Sequence, residues 1–168
     1  MPKGVYTREK QPVEPRFWEK VDKNGPIPLE CPELGPCWLW EAFKVHNGYG
    51  VFYPVHGDGI YAHRYSYELT NGKIPIGVEL DHMCHTRACV NPNHLREATH
   101  NDNAHNQGKR KHNTSGYKGV SKHKTQWRAQ IMVNKTKMHI GLFPDKESAY
   151  AAYCEAAKKY HGEFANLG

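Results

Sequence analysis

The chain of 168 residues has no run of about 18 apolar residues, the length a membrane-spanning helix needs. Its first residues, Met1-Pro2-Lys3-Gly4, lack the apolar stretch of a secretory leader, so a soluble, cytoplasmic protein with no membrane partner is expected. Cysteine is scarce and odd in number: there are five, which in a reducing compartment are thiols or metal ligands rather than disulfides. Acidic residues are scarce only in the second part of the chain. Residues 104–168 hold 4 Asp/Glu against 12 Lys/Arg, whereas residues 1–103 hold 13 against 11. Positive charge gathered on one small segment points to a polyanion partner, most often nucleic acid.

A chain of this length forms one ordinary domain or two small ones, and a domain below about 70–80 residues usually needs a metal or a disulfide to supplement its core. Residues 1–15, with Pro2, Pro12 and Pro15 and few apolar groups, read as a flexible arm. From residue 16 to 107 aromatic residues are dense enough for a small core. Within it Gly48 to Tyr53 reads as a strand, Ala62 to Asn71 as a helix stopped by Gly72, and Val78 to Leu80 as a strand leading into Asp81-His82.

Between Ala104 and Gly116 there is no apolar periodicity, and residues 108–114 read as a basic linker. Beyond it, Trp127 to Val133 alternates with period two, and a second strand, Thr136 to Phe143, follows a turn around Asn134-Lys135. After Pro144, Asp145 can cap a helix with Ala149, Ala152, Tyr153, Ala156, Ala157 and Tyr160 on one face and Gly162 as its stop. The expected fold class is α+β: a zinc-stabilised domain, then a small three-stranded antiparallel sheet packed on one helix. The two parts are expected to be separable near Asn106.

The chemistry concentrates between residues 81 and 103. Cys84, Cys89 and His94 stand at C-x4-C-x4-H spacing and supply three of the four soft ligands of a structural zinc. The fourth is Cys37 or Cys31; Cys37 is preferred because Pro36-Cys37-Trp38 leads into the aromatic segment that must dock on the core. His82 then remains for acid–base work: a neutral imidazole takes a proton from water near pH 7. Asp81 and Asn103 offer the hard oxygens that Mg2+ or Mn2+ accepts. His63, His85, His100 and His105 read as surface or structural residues.

Residues 37–106, with Cys37-Trp38-Leu39-Trp40, Ala62-His63-Arg64, Leu80-Asp81-His82-Met83-Cys84, Cys89-Val90-Asn91-Pro92-Asn93-His94-Leu95 and Asn103, resemble HNH endonucleases of the ββα-metal superfamily, especially phage-encoded homing enzymes. The zinc spacing is similar to that of the His-Cys box homing enzymes. The resemblance implies that His82 is the general base, that Asp81 and Asn103 hold one divalent cation, that Cys37, Cys84, Cys89 and His94 hold zinc, and that Arg64 faces a phosphate. An ion pair of Arg64 with Glu68 is the alternative for that residue. Asn103 stands where the final His of the family name would be, and His94 takes the middle position. Hydrolysis leaving 5′-phosphate and 3′-hydroxyl ends is implied in the same way.

Residues 115–168 resemble the APETALA-type DNA-binding domain of plant ethylene-response factors, on Ser115-Gly116-Tyr117-Lys118-Gly119-Val120, Trp127-Arg128-Ala129, Ile140-Gly141-Leu142-Phe143, Ala149-Tyr150-Ala151-Ala152-Tyr153 and Gly162-Glu163-Phe164-Ala165. This implies a sheet face set in the major groove of double-stranded DNA, carrying Lys118, Ser121, His123, Arg128, Gln130, Lys137 and His139. The whole then reads as a sequence-directed DNA endonuclease, monomeric or dimeric on DNA. Its rivals are a non-catalytic DNA-binding regulator with a degenerate HNH fold and an RNA-directed nuclease.

Overall fold

A computed structural model of the chain describes residues 12–109 and 111–168. Most of the expected N-terminal arm lies outside the described residues, but residues 13–15 form the first turn of a helix. The elements in order are α1 (Val13–Trp18), β1 (Val21–Asp22), β2 (Leu39–Trp40), β3 (Val51–Val55), β4 (Asp58–Tyr61), α2 (Ala62–Asn71), β5 (Glu79–His82), β6 (Leu95–Ala98), α3 (His100–His105), β7 (Val120–His123), β8 (Gln126–Val133), β9 (Thr136–Phe143) and α4 (Lys146–His161). Short 3-10 turns at Pro32–Leu34, Pro92–His94 and Gly162–Phe164 complete the list. The sheets are β1-β2, β3-β4, β5-β6 and β7-β8-β9. The class is α+β with small antiparallel sheets, as read from the sequence.

The chain gathers into two compact units. One takes the described residues up to Ile76 together with His82–Glu97; the other takes Gly77–Asp81 together with Ala98–Gly168. α3, expected with the nuclease-like part, belongs to the same unit as the C-terminal sheet.

In the first unit, Phe17 from α1 is fully buried and centres an aromatic core with Trp40, Phe52 and Tyr65, ring centroids 4.8 to 5.1 Å from its own. Gly50 is required there, because a side chain would enter the indole ring of Trp40. Ser66 on α2 is fully buried and donates its hydroxyl to the Val90 carbonyl, tying the helix to the loop that carries Cys89.

In the second unit, β8 is the central strand, antiparallel to β7 and β9. Asn134 and Lys135 both have positive φ, 49° and 63°, which makes the two-residue β8–β9 connection twist in the sense that right-handed strands favour. Asp145 caps α4 by accepting the Ser148 amide at 2.7 Å. The buried small residues Ala149 and Ala157, with Tyr153 between them, let α4 lie close on Val120, Ala129 and Ile131. Residues around the expected linker are tied locally: Asn113 Oδ1 accepts the Gly116 amide at 2.9 Å, and Ser115 donates to the Val120 carbonyl at 2.8 Å.

Candidate metal centre and catalytic strand

The chain brings a cysteine from one end of β2 to the loop after β5 by main-chain pairing. Trp40 N–H donates to the Ala88 carbonyl at 2.9 Å and Val90 N–H to the Trp38 carbonyl at 2.7 Å. Cys37, just before β2, thereby joins Cys84, Cys89 and His94, and their four ligand atoms all lie within 4.8 Å of one another. All four residues are buried. His94 Nδ1 stands 3.6 Å from the sulfurs of both Cys37 and Cys89. Its Nε2 lies 2.9 Å from the Leu34 carbonyl, which can only accept, so Nε2 carries the proton and Nδ1 directs a lone pair into the cluster.

A buried Cys3His tetrad of this size could hold a metal ion, and its donors are those zinc prefers. The electrostatics agree with that fit. Burial, together with the neighbouring Cys84, holds the Cys37 thiol above its ordinary pKa; the hydrogen bond to Cys89 and burial do the same to Cys84. Without a cation, thiolates are disfavoured here; a bound cation reverses the balance and releases protons. Cys31 is outside the tetrad and donates to the Met83 carbonyl at 3.3 Å.

His82 is the last residue of β5 and is buried. Its Nε2 lies 3.1 Å from the Cys89 carbonyl, again an acceptor only, which assigns the proton to Nε2 and the lone pair to Nδ1. One face of the ring meets His63, centroids 4.9 Å apart, and Tyr49 is 5.8 Å away. Sequence reasoning treated His63 as an ordinary residue. It is buried, its Nδ1 has no hydrogen-bond partner among the described residues, and burial, with the neighbouring His82 and Arg64, pulls its pKa down to about 3. Arg64, next on α2, is half-buried; Glu68, its alternative partner, accepts the Ile74 amide at 3.3 Å through one carboxylate oxygen.

The oxygen-bearing residues are arranged in the second unit. Asp81 is buried, and its Oδ1 accepts from Asn106 Nδ2 at 2.7 Å. Glu79 accepts from Asn103 Nδ2 at 2.5 Å and from His100 Nδ1 at 2.8 Å. With its nitrogen turned to Glu79, Asn103 presents its amide oxygen elsewhere. A carboxylate and an amide oxygen are the hard donors that Mg2+ or Mn2+ takes, so the residues fit such an ion chemically. α3 starts in a capping box, Thr99 accepting the Asp102 amide at 3.2 Å while Asp102 accepts the Thr99 amide at 3.3 Å. That reciprocal pair sets where Asn103 sits on the helix. His85, the other histidine near the strand, pairs with Glu30 at 3.2 Å.

Residues 60–105 match the HNH endonuclease family. The matched stretch runs from β4 to the end of α3 and holds Asp81, His82, Cys84, Cys89, His94 and Asn103. A protein of Acanthamoeba polyphaga mimivirus named an uncharacterized HNH endonuclease is 33% identical over 121 residues, 71% of this chain and 62% of its own length. Protein 7.7 of Escherichia phage T7 is 35% identical over 68 residues, 40% of this chain and 52% of its own. The chain thus spans just over half to about three-fifths of these relatives. No solved structure matches. These similarities support the HNH nuclease family.

Outside the HNH match, the register of the C-terminal sheet decides which residues share a face. Ser121 pairs with Arg128 and His123 with Gln126, while Gln130 pairs with His139 and Met132 with Lys137. Ala129 and Ile131 are buried under α4, so the alternation puts Ser121, His123, Arg128, Gln130, Lys137 and His139 on the opposite face. Arg128 donates to Ser121 Oγ at 3.4 Å. Lys118 is elsewhere: it precedes β7, and its ammonium donates to the carbonyls of His105, Gln107 and Asn166 at 2.9, 2.6 and 2.9 Å. Among the described residues no helix is long and apolar enough to cross a membrane.

Proposed function

We propose that the chain is a metal-dependent DNA endonuclease of homing type in which His82 is the general base and the C-terminal sheet reads the duplex. The observation that carries the catalytic part is the 3.1 Å approach of His82 Nε2 to the Cys89 carbonyl beside a buried Cys3His tetrad; the carbonyl only accepts, so a neutral His82 carries its lone pair on Nδ1. In the reaction, His82 Nδ1 takes a proton from water, and the resulting hydroxide attacks phosphorus as the P–O3′ bond breaks and the 3′ oxygen takes up a proton from solvent. A divalent cation supplies charge stabilisation on the phosphate and the leaving oxygen when bound, and Asp81 and Asn103 are the residues that would hold it. Cys37, Cys84, Cys89 and His94 would hold a structural zinc. Arg64 is proposed to meet a phosphate.

The reader part is supported by the charge on residues 104–168, by six polar or basic side chains on one sheet face, and by the likeness to the APETALA-type domain. Arg128 and Gln130 can read guanine or adenine edges, and Lys137 a phosphate. The test is incubation of the purified chain, Mg2+ and supercoiled plasmid: relaxed or linear product supports the reading, and unchanged supercoils across a range of Mg2+ and Mn2+ concentrations contradict it.

A further inference from the structure

The ammonium of Lys118 is the meeting point of three segments of the second unit. It bonds the last carbonyl of α3, at His105, and that of Gln107 just beyond, together with that of Asn166 near the C-terminus. A cation on the carbonyls at a helix C-terminus satisfies groups that have no partner within the helix and complements its dipole. The same helix end is held twice more from the C-terminal segment. Asn166, itself buried, donates Nδ2 to the Asn106 carbonyl at 2.9 Å, and the His105 ring stacks on His161 of α4 at 3.8 Å with the planes 7° apart. His161 is fixed in turn by the Met132 carbonyl of β8, 2.8 Å from its Nε2.

Asn106, whose main chain is clamped in this way, uses its side chain to hold Asp81 Oδ1. We propose that Lys118 is a positioning residue for the proposed cation site: by fixing the C-terminal end of α3 to the sheet and the C-terminal segment, it sets Asn103 and the Asn106–Asp81 pair. This rests on the reading of Asp81 and Asn103 as ligands. Lys118 therefore does not belong with the residues of the reading face, although it is the first basic residue of that segment's likeness. Burial lowers its pKa to about 8; the carbonyls it meets can bond only its N–H donors.

The experiment compares the full chain with K118M, K118R and Asn166→Leu. Hydrogen exchange of the α3 amides of Asn103 and Asn106 is the readout independent of activity; both are bonded inside the helix, to the Thr99 and Asp102 carbonyls. K118M should speed their exchange by about tenfold or more, because three charge-assisted bonds, two of them part-buried, are lost; K118R, which keeps donors, should restore most of the protection. N166L should act in the same direction if K118M does not fold. In nicking assays, K118M should need about tenfold more Mg2+ for half-maximal rate while the salt slope of DNA affinity stays as in the parent. Unchanged exchange in both K118M and N166L overturns the proposal. So does a K118M defect confined to a salt slope lower by about one unit, which marks a phosphate contact. If the unaltered chain does not nick DNA, the nuclease reading fails, and the exchange result still decides whether Lys118 holds α3.

Discussion

The Nε2 of His82 lies 3.1 Å from the main-chain carbonyl of Cys89, so a residue whose sulfur belongs to the metal tetrad also fixes the tautomer of the proposed base. The candidate tetrad and the proposed base thus share one residue of the chain. Elemental analysis should find about one zinc per chain, contributing on the order of 10 kcal/mol to folding of the first unit. C89A should lose that zinc and become protease-sensitive in the first unit, whereas C31A, outside the tetrad, should keep it. Stoichiometric zinc in C89A, or none in the parent, contradicts the assignment.

His63 gives a pH signature. Its folded pKa is about 3 against an ordinary value of about 6.5. Below pH 6.5 the unfolded chain binds a proton that the folded chain refuses, so stability falls as pH drops from about 6.5 towards 3, by about 1.4 kcal/mol per pH unit. His63→Phe keeps a ring against His82 and removes the titration. Urea unfolding at pH 6.5 and 4.5 should show the variant losing about 2 kcal/mol less than the parent over that interval; equal losses would mean His63 is not held neutral.

Two glycines of similar backbone separate strain from space. Gly119 has φ +73° and a side chain there would enter the Tyr153 ring, whereas Gly116 has φ +83° with nothing within 4 Å of an added Cβ. Gly119→Ala should cost about 3 kcal/mol or more, since overpacking adds to the left-handed penalty, and Gly116→Ala only about 1–2 kcal/mol. Chemical denaturation followed by Trp127 fluorescence measures both.

On the reading face, Arg128 is the residue to remove. Arg128→Ala should weaken binding to a cognate duplex by about 1–3 kcal/mol and relax preference at one position, while Lys137→Ala should weaken all sequences alike and lower the salt slope by about one unit. Fluorescence anisotropy on cognate and scrambled duplexes distinguishes the two.

The longer regular elements were legible because their signals are local. α2 was expected at Ala62 to Asn71, β9 at Thr136 to Phe143 and α4 after an Asp145 cap, and all three are found there, since caps, stops and periodicity act within a few residues. The tetrad was legible for a different reason: Cys84, Cys89 and His94 are close in sequence, while the choice between Cys37 and Cys31 stays open there, with Cys37 preferred for the docking of Cys37-Trp38 on the core; the structure groups Cys37 with the other three. What was not legible rests on long-range main-chain bonds. No pattern marks β2 as a strand two residues long, because it is held by pairing with β1 and with the Cys89 loop. Nothing local to Ala104 to Gly116 reveals that carbonyls from that stretch are bonded to Lys118 and Asn166. For the same reason a chain ending near Asn106, which retains every proposed ligand, is now expected to lose the partners of its last helix. His63 reads only as surface or structural because a buried histidine and a surface histidine look alike in sequence.

The central claim is that His82 supplies the base for metal-dependent cleavage, and its most direct test is the cleavage rate of His82→Ala on supercoiled plasmid with Mg2+, beside its zinc content and DNA affinity. The account predicts a rate lower by about 10²–10⁴-fold with zinc and affinity nearly unchanged. Cleavage by the variant at the parent rate would contradict it.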